Sequence, residues 1–451
     1  MADKPRRQPR DIPQSAAARS AKLASLPLGF AGRAALGWGQ KLVGADADAV
    51  SSKMLERNAE QMFAVLGQLK GGAMKLGQAL SVYESMIPAE VAEPYQRALT
   101  KLQSQGPSLP ADKVHTVLDE QLGRNWRKHF QYFDDTPAAA ASIGQVHKGI
   151  WHDGREVAVK VQYPGADLAL RADLKQLERF ARLFTLVVPG LDAHGLIREV
   201  RERMLEELDY RSEAEHQRHF GTVLDGDPDI RIPAVLASAP KVIVSEWLDG
   251  PPLSRLIQEP ATGPEDQAER DRIADIMVHL MFSSPARLGL LHADPHPGNF
   301  LMLADGRIGV IDYGAVAVLP DGRPPVLGRI LRYAADREAD LMMTLLRDER
   351  FVTGDVPVED VMRWLGSMAD PLRVDEFHAD RAWIAKQGAR VANVQSNAYK
   401  QTGRSLNLPA EHMLVARVCG GWMNILSQID CTVRARAVAW EWVPSFADPS
   451  R

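Results

Sequence analysis

The chain has 451 residues, 45% hydrophobic and 25% charged, with a formal net charge of −4. That length accommodates two or three domain-sized units, or one two-lobed enzyme with an extension. The near-neutral balance excludes a bulk electrostatic drive toward nucleic acid. Two cysteines, Cys419 and Cys431, exclude a disulfide framework.

Through Lys41 there are eight basic residues against Asp3 and Asp11, and residues 1–22 read as a disordered basic tail. The first residues lack the apolar stretch of a signal peptide. Leu23 to Val43 mixes Leu, Phe30 and Trp38 with Arg33 and Lys41, as a short amphipathic helix does. Such a helix either packs on its own protein or lies on a membrane surface. No run approaches the roughly 18 apolar residues that span a bilayer. The best candidate, Leu183 to Ile197, is broken by Pro189, Gly190, Asp192 and His194. The expected location is the cytoplasm, with peripheral membrane contact as an open alternative.

Residues 23–130 are expected to form an N-terminal helical extension, because Met62, Leu66, Leu69, Leu76 and Leu80 recur at helical spacing. Beta character begins near Tyr132. Val146–Trp151 and Glu156–Val161 flank His152-Asp153-Gly154-Arg155 and predict a hairpin. Helices are expected over Ala166–Leu186 and Leu196–Phe220, then strands over Arg231–Leu236 and Lys241–Trp247. After Pro252 the pattern is helical, apart from a hairpin at Phe300–Leu303 and Arg307–Ile311 around Asp305-Gly306. A small sheet with helices (131–250), a joint, and a helical lobe (251–451) is an α+β, two-lobed, protein-kinase-like order.

Three segments carry chemistry. In His292-Ala293-Asp294-Pro295-His296-Pro297-Gly298-Asn299, Asp294 and Asn299 stand five apart. At that spacing one loop offers a base to an accepting hydroxyl and an amide oxygen to Mg²⁺. The next hairpin ends in Asp312, placed to ligate a metal between phosphates. Taken singly, the first segment is also a turn sequence and Asp312 a solvated strand end. The third segment is Glu156-Val157-Ala158-Val159-Lys160, whose lysine alternates to the side opposite its valines and is suited to the α- and β-phosphates.

Together these residues resemble the UbiB (AarF-type, ABC1) atypical kinase family. Where protein kinases carry a glycine-rich loop, this chain has Ala138-Ala139-Ala140-Ala141-Ser142-Ile143-Gly144-Gln145-Val146-His147, similar to the family's alanine-rich loop. Alanine restricts the positive-φ backbone that glycine allows. Lys75-Leu76-Gly77-Gln78 resembles the family's KxGQ motif, implying a helix over the cleft. Glu206-Glu207-Leu208-Asp209 resembles its ExD motif, with Glu207 and Asp209 as the carboxylates and Lys75, Gln78, Glu207 and Asp209 as regulatory residues. Glu213 matches the helix glutamate that pairs with the strand lysine. On one helix, Glu207 and Glu213 would face different ways at about 100° per residue, which suits Lys75 as partner of the first and Lys160 of the second.

The resemblance implies ATP and Mg²⁺ as cofactors. Lys160, Glu213 and Asp294 would be catalytic residues, with Asn299 and Asp312 on the metal. Ala138 to Ser142, Glu246 and Leu248 would line the nucleotide. It implies an ATP-dependent atypical kinase or ATPase acting on a small-molecule or lipid substrate in lipid or ubiquinone metabolism. A protein kinase acting in trans and a nucleotide-gated scaffold without turnover remain open alternatives. Against the first, no Ala-Pro-Glu follows Asp312. Trp422, Trp440 and Trp442 read as packing residues, and Cys419 as a buried small apolar one.

Overall fold

A computed structural model describes residues 109–141, 143–168, 171, 208–352, 356–365, 369–392 and 410–449. The elements below belong to one compact unit. The expectations for residues 1–108, including Lys75 and Gln78, and those for Ser142, Glu207 and the helix over Ala166–Leu186 fall wholly or largely outside the described residues.

The upper lobe begins with helix α1 (Ala111–Leu122) and a 3₁₀ turn at Trp126–His129. Strands β1 (Phe130–Ala140), β2 (Gly144–Trp151) and β3 (Glu156–Gln162) follow as an antiparallel meander. Helix α2 (Tyr210–Val223), β4 (Ile230–Arg231), β5 (Val235–Ala239) and β6 (Val242–Glu246) complete it. The sheet order is β1-β2-β3-β6-β5. Period-two alternation sends Val157, Val159 and Val161, all 0% exposed, to one face. There they pack with Val242 and Val244 against Val114, Val117, Leu118 and Trp126. Lys160 is thereby turned to the other face, toward α2.

The expected strand over Arg231–Leu236 is divided. Ile230–Arg231 pairs in parallel with β9 (Ile308–Val310) of the lower lobe, and Val235 onward pairs with β6. Pro233, with no N–H to donate, stands at the switch. Of the helix expected over Leu196–Phe220 only residues 208–220 are described, and there α2 starts at Tyr210. Asp209 is its N-cap, extended at φ −116°, with its side chain accepting from Arg211 N.

The lower lobe holds α3 (Leu253–Gln258) and the 25-residue α4 (Pro264–Leu288), which is buried along much of its length. Strand β7 (Leu290–His292) leads into the Asp294 loop, and β8 (Phe300–Met302) with β9 forms the expected hairpin. Strand β10 (Val316–Val318) returns to pair with β7, a pairing too short to leave a sequence pattern. Helices α5 (Pro325–Asp336), α6 (Ala339–Asp348) and α7 (Val358–Leu365) follow. Then come β11 (Phe377–Ala379), α8 (Arg381–Ala392), α9 (Ala410–Ile429), β12 (Cys431–Val433), α10 (Ala435–Trp442) and α11 (Pro444–Ala447). One continuous apolar core joins α4, the hairpin, α9 and the C-terminal helices. Arg270 is buried inside it and donates to the carbonyls of Ile429, Leu256 and Glu259. A buried guanidinium is tolerated because backbone oxygens replace its water. Among the described residues no helix is long and apolar enough to cross a membrane.

Candidate active site

Lys160 is the centre of the cleft. Its Nζ donates to Glu213 Oε1 at 2.8 Å and Oε2 at 3.0 Å, and to Asp312 Oδ2 at 3.2 Å. Burial alone would lower the lysine pKa. The carboxylates of Asp312 and Glu213 outweigh it and hold the pKa well above the ordinary lysine value. Lys160 is therefore a charged ammonium joining β3, α2 and the segment after β9. The ring of Tyr210 lies 5.2 Å from Nζ and adds a cation–π contact. Glu213, in the first turn of α2, is 6% exposed.

Asp312 is fixed at both ends. Its Oδ1 accepts from Gly314 N at 3.0 Å, and its carbonyl accepts from His292 Nε2 at 2.7 Å. His292 is itself buried beside Phe300 and Tyr313, and the Tyr313 hydroxyl donates to Val310 O. The Asp294 loop flanks the Asp312 segment, with Ile311 N donating to Asn299 O at 3.1 Å and Ala293 N to Ala315 O at 2.9 Å. Asn299 Nδ2 donates to Asp294 O at 3.1 Å and reaches Asp294 Oδ2 at 3.3 Å, so the donor end of its amide is spent on Asp294 and Oδ1 is its acceptor.

The alanine segment is tighter than an open loop. Ala139 and Ala140 are still in β1, opposite Val146 and Gln145, and Ala141 N donates to Gly144 O. Only glycine fits at 144, where a Cβ would lie 2.3 Å from Val161 O and 2.9 Å from the Tyr210 hydroxyl.

Below the sheet, the joint is packed onto the β8–β9 hairpin. A Cβ on Gly250 would meet Met302 O at 2.4 Å, and one on Gly309 would meet Leu248 Cδ1 at 2.9 Å. Glu246 Oε2 accepts from Arg231 Nη2 at 2.8 Å and from Ala234 N. Trp247 N donates to Glu156 O, whereas Leu248 makes no backbone hydrogen bond among the described residues.

The residues fit a magnesium nucleotide. Mg²⁺ takes oxygen ligands, usually one or two from protein with phosphate and water completing the shell. Asp312 and the Asn299 oxygen are donors of that kind, and the Lys160 ammonium is a cation that phosphate oxygens could take as a partner. Among the described residues no cluster of three or more His, Cys, Asp or Glu stands ready to hold a metal without phosphate.

A family model described as "ABC1 atypical kinase-like domain" matches residues 101–346. The chain belongs to the ABC1 atypical kinase-like family. It is 28% identical to "Atypical kinase COQ8B, mitochondrial" of Danio rerio over 79% of this chain and 58% of that protein. It is 32% identical to "Atypical kinase COQ8, mitochondrial" of Schizosaccharomyces pombe over 58% of this chain and 42% of that one. The chain thus spans about half the length of these curated relatives. Among solved structures it resembles Rv3197 of Mycobacterium tuberculosis, in complex with erythromycin. The TM-score is 0.67, with 45% identity, 90% of this chain and all of that one covered.

Of the residues singled out in this ABC1 chain, Lys160, Glu213 and Asp312 meet directly, and Asp294 meets Asn299. Asp209 stands apart, bonded to Arg211 at its own helix start. Trp422 is buried, but Trp440 is 47% exposed, and Cys419 is half-buried with Arg323 Nη1 at 3.5 Å. The reading of Cys419 as buried is thereby corrected: Arg323, a polar neighbour, approaches that face of α9. Sequence reasoning missed Tyr210 beneath the lysine and Gly421, whose missing side chain admits Pro295. The Gly420-Gly421 pair inside a helical pattern was the available signal.

Proposed function

We propose that the chain binds Mg²⁺-ATP between its lobes and uses it for slow hydrolysis or for phosphoryl transfer to a small, lipid- or isoprenoid-related acceptor. The observation that carries this reading is Lys160 bonded at once to Glu213 and Asp312. Phosphoryl transfer asks a protein mainly for positioning and charge. Glu213 holds the ammonium where phosphate oxygens would replace Asp312 as its partner. Asp312 and Asn299 would hold Mg²⁺, which when bound supplies charge neutralisation across the phosphates. Asp294 would accept the proton of the attacking hydroxyl or water. The chain passes from Asp312 through three-residue β10 into α5 at Pro325, which leaves little length for a peptide platform and favours a small acceptor.

The test is a thermal-shift titration with MgATP. Ligand at about 100 times its dissociation constant adds about 2.7 kcal/mol of stability. Asp312→Asn should lose most of that gain, whereas Asp294→Asn should keep it and lose phosphate release. Equal loss of binding in both variants would sink the assignment of roles.

A second reading concerns a further ligand. The 45% identity to a protein solved with erythromycin supports a macrolide-sized ring as a ligand of this chain also. Calorimetry with erythromycin, with and without MgADP, tests this, and absence of heat in both arms rejects it.

A further inference from the structure

Gln145 and His147 have no part in the phosphate chemistry above, yet they are 1% and 0% exposed. Buried polar side chains cost stability unless their hydrogen bonds are made. Where those bonds go is therefore informative. His147 Nδ1 lies 2.8 Å from Asp134 O. A carbonyl only accepts, so Nδ1 carries the proton. His147 Nε2 lies 2.9 Å from Gln145 Nε2, an amide nitrogen that only donates, so the ring is neutral and Nε2 accepts. That orientation turns Gln145 Oε1 toward Leu109, whose N–H it accepts at 2.8 Å. Three bonds run in one direction, from Leu109 through Gln145 and His147 to Asp134.

Both ends of the relay are structurally placed. The β1–β2 register steps from Phe133↔Gly149 to Pro137↔His147, so β1 is bulged over Asp134 to Thr136. His147 supplies the donor for a carbonyl inside that bulge, and its ring stacks on Phe133 with centroids 5.1 Å apart. Beyond the bulge, β1 runs on as Pro137–Ala140, toward the hairpin turn that closes on Gly144. Leu109 lies just before α1, which packs behind the sheet.

We propose that Gln145 and His147 are positioning residues for the nucleotide. Their relay ties the β1 bulge to the root of α1 and so sets the position of the alanine segment above the cleft. The proposal rests on the reading of the cleft as a Mg-nucleotide site. Burial keeps the His147 pKa below the usual histidine value. The Asp134 carbonyl and the charges of Asp135 and Asp134 oppose this, and His115 of α1 acts with burial. A second proton on Nε2 would face the amide donor of Gln145. Flipping that amide would then turn its nitrogen onto Leu109 N–H. The relay is compatible with one protonation state.

The test uses the full chain, with ring-nitrogen NMR of His147 and calorimetric MgADP binding. The expected wild-type spectrum at neutral pH is that of a neutral ring protonated at Nδ1. Gln145→Leu should weaken MgADP roughly tenfold or more, since it orphans Leu109 N–H and strips the partner from Nε2. Gln145→Glu accepts from both neighbours, so it should convert His147 to the imidazolium and raise its pKa. MgADP affinity should then be within about threefold of wild type below that pKa and fall above it, where wild type is flat. An Nε2–H tautomer in the wild type would overturn the proposal. So would unchanged MgADP affinity in Gln145→Leu, or a pH-independent Gln145→Glu where the leucine variant does not fold. A wild type that binds no MgADP would instead remove the nucleotide reading, leaving the ring spectra to decide the relay.

Discussion

Gly421 of α9 lies so close to Pro295 of the Asp294 loop that a Cβ on the glycine would stand 2.7 Å from Pro295 Cγ. The neighbouring Trp422 packs on Phe300, the first residue after Asn299, with ring centroids 5.5 Å apart. Helix α9 therefore buttresses the Asp294 loop at Pro295 and at Phe300, and a proline ring cannot swing aside as a flexible side chain would. Gly421→Ala should lower phosphate release at least tenfold while MgADP affinity stays within about threefold, because Lys160 and Asp312 are left in place. Gly420→Ala is the control. A Cβ there meets nothing within 4 Å, and the substitution should raise helix stability by about 0.5–1 kcal/mol with activity unchanged. Equal activity in the two variants would show that the contact does not position the loop.

Removing Lys160 leaves two carboxylates facing each other in a partly buried site. Lys160→Met should destabilise the fold by about 3–5 kcal/mol, as expected when one partner of a buried pair is deleted. The loss should be larger at pH 8 than at pH 5, since protonating one carboxylate relieves the repulsion. Adding Glu213→Gln should recover part of it, and urea unfolding of the single and double variants measures that coupling. Strict additivity would mean that the pair does not interact.

Wild-type stability has its own pH signature. The folded pKa of Lys160 lies above its ordinary value of 10.5. The pair's contribution is therefore complete below about pH 10.5, and is lost as pH rises through the folded value. Thermal unfolding of wild type and of Lys160→Met/Glu213→Gln should give curves separated by a constant gap from pH 7 to 9. Convergence within that range would contradict a charged, paired lysine.

Gly144→Ala tests the hairpin above the lysine. A Cβ 2.3 Å from Val161 O forces β2 away from β3 at the residue following Lys160. Overpacking costs about 1–3 kcal/mol, and the displacement should also weaken MgADP binding. Gly154→Ala sits at φ +94° with open space around it, so it should cost stability through backbone strain alone and leave binding unchanged.

The two cysteines should react differently. Burial and the charges of Asp271 and Asp430 push the Cys431 thiol far up, and its Sγ donates to Leu426 O at 3.2 Å. Cys419 is half-buried beside the Arg323 guanidinium. A thiol reagent should therefore label Cys419 in the native chain and reach Cys431 only on unfolding, as peptide mass spectrometry would read. Native labelling of Cys431 would show that β12 opens more readily than its packing implies.

The alternation of Val157, Val159 and Val161 was enough to put Lys160 on the opposite face, because a strand's side chains can only alternate. The five-residue spacing of Asp294 and Asn299, with a hairpin before Asp312, likewise marked from sequence residues that the structure joins: Asn299 bonds Asp294, and Asp312 bonds Lys160. These features are local, set by backbone geometry and short-range periodicity. Tertiary structure decided the rest. Pro233 splits a continuous-looking strand, so that Ile230–Arg231 joins the lower lobe's β9 instead of its own sheet. Asp209 caps α2 because its side chain finds Arg211 N, so this helix starts at Tyr210 inside a stretch that periodicity alone reads as continuous. The contact of Gly421 with Pro295 and the relay from Leu109 to Asp134 join segments far apart in the chain. Such contacts depend on shape and hydrogen-bond direction in the packed protein, and a one-dimensional pattern carries no record of either.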